Sequence, residues 1–358
     1  MDLGRLFFHK NTIPPREIKD IHKSCYLCRA RRPGPGRCNE LNKSAIDMKR
    51  TVLFLTLLCF LTGCGMIKVS RSMLEMMLKG TNTVSTAVTY ADSCDKRVGV
   101  PYVENGDPNQ VLDIYYAPAA VRKNAVLIDI HGGFYVAGKR ENNRKFASVF
   151  LREGYDVVLL EYRLNDGKRD VADELADCAA GLDYLAVHAR ELGLDAGRMF
   201  LTGDSAGGHL ALYMAEGAAD PSMPIRPKVF TPRGTLINCP AYDFASFGEM
   251  GTFSKSALAW FIGPRYKNKK WMMSMSPRTY ISTFEGPLLV STCTRDFIRD
   301  QSLKIKADCE LLERPLEFVD IASDDKRVGH VHNVTAPALP ESKEVNARMV
   351  AFMDALLP

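Results

Sequence analysis

The sequence predicts an α/β protein, a mostly parallel sheet with helices on both faces, and three observations predict it. From about residue 95 onward, short apolar or β-branched runs alternate with helical patterns, the arrangement that lays strands side by side with their crossovers on the faces. Within it Val171, Leu175, Cys178, Leu182 and Leu185 fall at steps of four and three, one apolar stripe of an amphipathic helix. The chain is 358 residues long and 46% hydrophobic, enough for one large core, and no repeat, low-complexity tract or long Gly/Ser linker divides it.

Taken in order, residues 1–63 hold 12 Lys/Arg and 5 Asp/Glu, leaving 35 and 37 in the remainder, so the overall charge of +5 resides at the front and residues 64–358 carry −2. A nucleic-acid partner therefore has no support in the body of the chain. Lys49-Arg50, an apolar run from Thr51 to Leu61 and the small residues before Cys64 follow the order of a secretory signal, and the run is too short to span a bilayer. Because a signal starts a chain, Met48 is the expected start. Residues 1–47 then read as a non-native upstream leader, 48–63 as the signal and 64–94 as an anchor-proximal segment. Cys25-x-x-Cys28 with Cys38 lacks a fourth ligand at metal-site spacing, so no metal is expected there.

The strands expected in the remaining domain, residues 95–358, are Val111–Tyr116, Ala125–Ile130, Asp156–Tyr162, Met199–Thr202, Gly234–Asn238, Pro287–Thr292 and Leu316–Asp320. Helices are expected over Val171–Leu192 and Ser342–Leu357. Residues 245–280 hold Phe247, Trp260, Phe261, Trp271, Met272 and Met273 without strand alternation; they form either a lid over a site or helices packed on the core. Cys178 on a helix face, and Cys239 and Cys293 at the ends of apolar runs, read as buried thiols, with a disulfide through Cys94 left open.

The chemistry is carried by a few segments. The strand ending at Thr202 runs into Gly203-Asp204-Ser205-Ala206-Gly207-Gly208 and then a helical pattern. This G-x-S-x-G stands in the strand, turn and helix context that exposes a nucleophilic serine at a helix N-terminus. A serine needs oxyanion donors, a base and an acid. His131-Gly132-Gly133-Phe134 ends an upstream strand, where glycines let backbone N–H groups turn into a site. Cys293-Thr294-Arg295-Asp296 follows a downstream strand; Asp296 is the expected acid, nearest the strand end, whereas Asp300 falls one helical turn on and caps the helix or faces solvent. Of seven histidines, His330 and His332 remain for the base once those in the leader, helices and oxyanion turn are set aside, which gives the chain order serine, acid, histidine.

With the His-Gly-Gly turn and the GDSAGG elbow together, residues 95–358 resemble the hormone-sensitive-lipase-like esterases of the α/β-hydrolase fold, and Tyr162-Arg163-Leu164 matches another of that family's features. The resemblance implies that Gly132, Gly133 and Ala206 supply the oxyanion N–H groups, that Phe134, standing where a third glycine is usual, narrows the pocket, that Tyr135 next to it also meets substrate, and that Asp296 is the triad acid. It also implies His330 as base, since histidine, small residue and aromatic follow in that order, with His332 in the aromatic place against substrate and Val331 in place of the usual glycine. Leu61-Thr62-Gly63-Cys64 resembles the bacterial lipobox, which implies lipidation at Cys64 and a place on the bacterial cell envelope.

The function expected is hydrolysis of short acyl esters, small-molecule or glycan, through an acyl-enzyme, with a membrane partner by way of the lipid and no metal or organic cofactor. His-Gly-Gly followed by an aromatic also resembles kynurenine-formamidase-like hydrolases, so an amide or peptide substrate stands as the alternative. The second alternative, of a different class, is an inactive hydrolase fold used for binding.

Overall fold

The computed structural model describes residues 87–247 and 254–358, together with Ser72 and Leu78. The leader, the signal, Cys64 and most of the anchor-proximal segment lie outside the described residues.

Among the described residues eight strands form one sheet in the order β1-β2-β4-β3-β5-β6-β7-β8: β1 (Lys96–Pro101), β2 (Val111–Tyr115), β3 (Val126–Ile130), β4 (Asp156–Leu160), β5 (Met199–Asp204), β6 (Thr235–Asn238), β7 (Leu288–Cys293) and β8 (Glu317–Ile321). From β4 to β8 every pairing is parallel, and only β1 and β2 run against their neighbours. Strands β3 to β7 are buried along their whole length, because helices cover both faces. Val126, Ile128 and Ile130 of β3 point into one core, with α2 (Val171–His188), α3 (Ala206–Ala219) and α7 (Arg299–Leu311). Leu127 points into the other, with α1 (Arg144–Arg152) and α9 (Pro340–Leu356). The α/β-hydrolase fold that the sequence leads one to expect is the fold observed.

Helix α2 opens with a capping box, Asp170 accepting from Ala172 N at 3.0 Å while Asp173 accepts from Asp170 N at 2.9 Å, which satisfies two orphan donors of the first turn. Pro340 opens α9 at the position where a missing N–H costs nothing. The expected strands differ from the observed ones only by residues at their ends. Strand β1 is the one strand of the sheet without an expectation: it lies at the sheet edge, almost wholly exposed, with a register shift between Arg97 and Val100. Its KRVGVP sequence therefore carries no buried alternation to read.

The described residues between 244 and 280 hold the short helices α4 (Phe244–Phe247), α5 (Lys255–Phe261) and α6 (Lys269–Ser274). Much of this segment packs on the core: Phe247, Leu258, Phe261, Trp271 and Met272 are buried. Backbone carbonyls tie it down, with Met275 O 2.7 Å from His209 Nε2 and Ser274 O accepting from Tyr213 Oη at 2.9 Å. Among the described residues Cys94, Cys178, Cys239, Cys293 and Cys309 are free thiols, so Cys94 forms no disulfide with any of them.

Candidate active site

The parallel strands end in register, Ile130 opposite Gly203, Asp204 opposite Asn238 and Asn238 opposite Ser291, so the loops that follow them meet at the sheet's carboxyl edge. Ser205 follows β5 with φ 54° and ψ −116°, a conformation rarely adopted by a side-chain-bearing residue and common at functional turns. The turn closes only around glycine. A Cβ on Gly207 would lie 1.9 Å from Ile130 O, and one on Gly203 2.3 Å from Gly207 O.

His330, in the loop after β8, reaches both partners. Its Nε2 lies 2.9 Å from Ser205 Oγ, and its Nδ1 lies 2.6 Å from Asp296 Oδ1. Asp296 is fixed by Ile298 N, which donates to Oδ1 at 3.1 Å, and by Thr292 Oγ1, which donates to Oδ2 at 2.9 Å. Burial opposes its charge, yet the His330 bond and these donors more than offset that and hold its carboxyl below the ordinary value. Ser205, Asp296 and His330 are thus brought together, in the order base-catalysed attack requires. Asp300 lies instead in the first turn of α7, 3.5 Å from Lys304 Nζ.

The oxyanion turn differs from expectation at one glycine. The N–H of Gly132 donates to Asp204 Oδ1 at 3.1 Å, so Gly132 braces the turn instead of facing the site. Gly133 N and Ala206 N meet no acceptor among the described residues. Gly133 has φ 133°, and a Cβ there would lie 1.9 Å from Ala137 O. Phe134 and Tyr135 continue the turn at φ 54° and 64°, left-handed values that explain why a third glycine is usual there.

Phe134 lines a cleft of about 190 Å³ with Gly133, Ser205, His330 and Leu78. Tyr135 and His332 do not. Tyr135 is buried with its ring edge-on to His209 and Phe244. His332 is buried with Nδ1 2.9 Å from Ser342 Oγ, and burial lowers its pKa. The left-handed turn at Val331, φ 51°, starts helix α8 (His332–Thr335) and takes the second ring inward. Both assignments to substrate are therefore corrected to packing.

Several residues at the site are not visible as such in the sequence. Asn143 Nδ2 lies 2.9 Å from Asp204 Oδ1 and 2.8 Å from Asp129 Oδ2, joining the elbow to the oxyanion strand. Glu161 sits 3.0 Å from His131 Nε2, Tyr162 Oη donates to His131 O at 2.8 Å, and the two rings stack at 4.5 Å. Burial disfavours a charge on His131, but Glu161 outweighs it and the net shift is upward. Phe297 stacks on Phe134 at 5.7 Å and leans on His330 at 4.2 Å. Cys239 Sγ is grouped with Asp296 and His330, their nearest ligand-type atoms within 4.8 Å of one another.

The chain is similar to several known proteins. A carboxylesterase of Mycobacterium tuberculosis, NlhH, is 32% identical over 254 residues, which cover 68% of this chain and 77% of that protein. Lipase 2 of Moraxella sp. (strain TA144) is 34% identical over 98 residues, 27% of this chain but only 22% of the lipase's own length. The crystal structure of esterase B from Lactobacillus Rhamnosis (HN001) superposes with a TM-score of 0.70 at 23% identity, covering 80% of this chain and 93% of that one. The BD-FAE family model matches residues 112–307, more than half of the sequence, and the chain belongs to that family.

Proposed function

We propose that the chain is a serine carboxylesterase that removes short acyl groups, of about two to four carbons, from small-molecule or glycan esters, held at the bacterial envelope by a lipid on Cys64. The observation that carries the reading is the unbroken line Ser205 Oγ, His330 Nε2, His330 Nδ1 and Asp296 Oδ1, at 2.9 and 2.6 Å.

In the first half-reaction Ser205 Oγ attacks the acyl carbonyl carbon as His330 Nε2 takes its proton, and the carbonyl oxygen becomes an oxyanion. Gly133 N–H and Ala206 N–H, the latter at the head of α3, donate to it. The tetrahedral species collapses, the ester C–O bond breaks, and His330 returns the proton to the departing alcohol. Water then attacks the acyl-enzyme with His330 again as base, releasing the acid and restoring Ser205. Asp296 holds the ring's tautomer and stabilises the imidazolium.

The preference for short acyl groups is supported by the aromatic wall. Phe134 stands at left-handed φ where glycine would leave space, Phe297 stacks on it, and Phe261 of α5 meets it edge-on at 5.9 Å. The identity to a carboxylesterase over 77% of that protein favours ester over amide. Ser205→Ala is expected to lower kcat by on the order of 10³–10⁶ with the fold intact, and fluorophosphonate labelling to disappear with it. Turnover near wild type, or labelling elsewhere, would exclude the serine mechanism. A p-nitrophenyl series that ran faster with decanoate than with acetate or butyrate would exclude the short-chain reading alone.

A further inference from the structure

The turn after β6 touches all three members of the relay although it contributes none of them. Asn238 O accepts from Ser205 N at 2.9 Å, and Ala241 N donates to Ser205 O at 3.3 Å. Between them Cys239 N donates to Ser291 O of β7 at 2.8 Å, tying the turn to the strand that leads to Asp296. The sulfur of Cys239 accepts from Val331 N at 3.3 Å, the residue after His330. That sulfur also lies within 4.8 Å of ligand-type atoms of Asp296 and His330. Cys239 holds this place at φ 46°, and Val331 at φ 51°. Two adjoining side-chain-bearing residues in a conformation such residues seldom adopt mark a junction fixed by its surroundings.

We propose that Cys239 is a positioning residue of the relay, its sulfur fastening the His330 loop to the sheet edge beneath Asp296 so that acid, base and nucleophile stay in line. The proposal rests on the serine-esterase reading. Cys239 is buried, 1% exposed, and is not among the residues that line the cleft at Ser205. Burial first, and the Asp296 carboxylate second, push its thiol well above the ordinary value, so the sulfur stays protonated and is no competing nucleophile. A sulfur suits the junction because it accepts weakly from Val331 N while presenting S–H to a neighbouring carboxylate.

The test compares Cys239→Ala, Cys239→Gly and Cys239→Ser, with Cys178→Ala, another buried thiol but one in α2, as the comparator. Glycine fits the left-handed backbone, so it removes the sulfur without demanding strain and carries the test if the alanine variant does not fold. Both sulfur deletions are expected to lower kcat by about 10–100-fold with KM changed less than about threefold, the signature of a displaced catalytic group. In proton NMR the downfield resonance of the His330–Asp296 hydrogen bond should broaden or vanish. Serine should restore the resonance and bring kcat to within about fivefold of wild type, while Cys178→Ala leaves kcat unchanged whatever its melting temperature. Wild-type kcat and resonance in Cys239→Gly, or a serine variant as slow as the glycine one, would overturn the proposal. Ser205→Ala separates the two failures: an inert Ser205→Ala beside a fast Cys239→Gly sinks only the role of Cys239, whereas an active Ser205→Ala sinks both.

Discussion

His330 and His332 stand two positions apart and end in opposite environments, one against Ser205 and one against Ser342. An extended loop would have pointed both rings the same way; the left-handed φ of Val331 rotates the second inward. His330→Ala is therefore expected to approach Ser205→Ala in its loss of kcat, since the triad acts as a unit. His332→Phe should keep kcat and lower the melting temperature, because it leaves Ser342 Oγ without the ring nitrogen. A dead His332→Phe that stays folded would reverse the assignment. Asp129 yields a second expectation, in stability. Burial, then the Asp204 carboxylate, raise its pKa from an ordinary 3.8 to about 8. Between those values the folded chain keeps a proton that the unfolded chain has shed, so this group makes stability fall as pH rises across the window. Asparagine at 129 has no proton to lose. The melting temperature of Asp129→Asn relative to wild type should climb steadily from about pH 5 to about pH 8, and a pH-independent difference would rule out the buried neutral acid. The slope is the readout, because Asp129 Oδ1 lacks a partner and an amide N–H placed there would carry a constant cost at every pH.

At the scale of elements, the segments legible in the sequence are those whose signal is local. Mainly apolar runs mark β3, β4 and β7, the four-and-three stripe marks α2, and the glycines of the elbow mark a turn that nothing larger fits. Asn143, Cys239 and Phe297 carry no such signal. Their roles depend on strand order, which sets β6 between β5 and β7 and brings Cys239 beside a histidine 91 positions later in the chain. The oxyanion turn fails differently: His-Gly-Gly announces it, but which N–H faces inward depends on Asp204 capturing that of Gly132. The loop after β7 supplies a prediction of its own. Phe297 is 39% exposed, so removing its ring forfeits little core packing yet opens the wall formed with Phe134. Phe297→Ala should raise the ratio of kcat/KM for octanoate over butyrate esters by about tenfold, as expected when a pocket gains room for methylenes. An unchanged ratio at intact kcat would place the acyl group elsewhere.

For the whole molecule, the relay and the proposed anchor fall in separate parts of the chain. The sheet and the relay belong to residues beyond 95, where the charge balance is nearly even, whereas the cationic excess lies ahead of Cys64. In the proposed reading the cationic front of the chain serves as an address. If Cys64 carries the lipid, the number of acyl chains decides how firmly the enzyme is held, since one chain gives marginal, reversible binding and stable anchoring takes a second signal. The wild-type protein expressed in a bacterium should partition into detergent, with an intact mass that begins at Cys64 and exceeds the polypeptide by more than one acyl group. Cys64→Ser should lose that added mass while its kcat on a soluble acetate ester, measured in detergent, stays at wild type, because the relay does not include the anchor. A soluble, unmodified wild-type protein beginning at Met1 would refute the anchor and leave the esterase reading standing; a fall in kcat for Cys64→Ser would instead show that the lipidated end takes part in turnover.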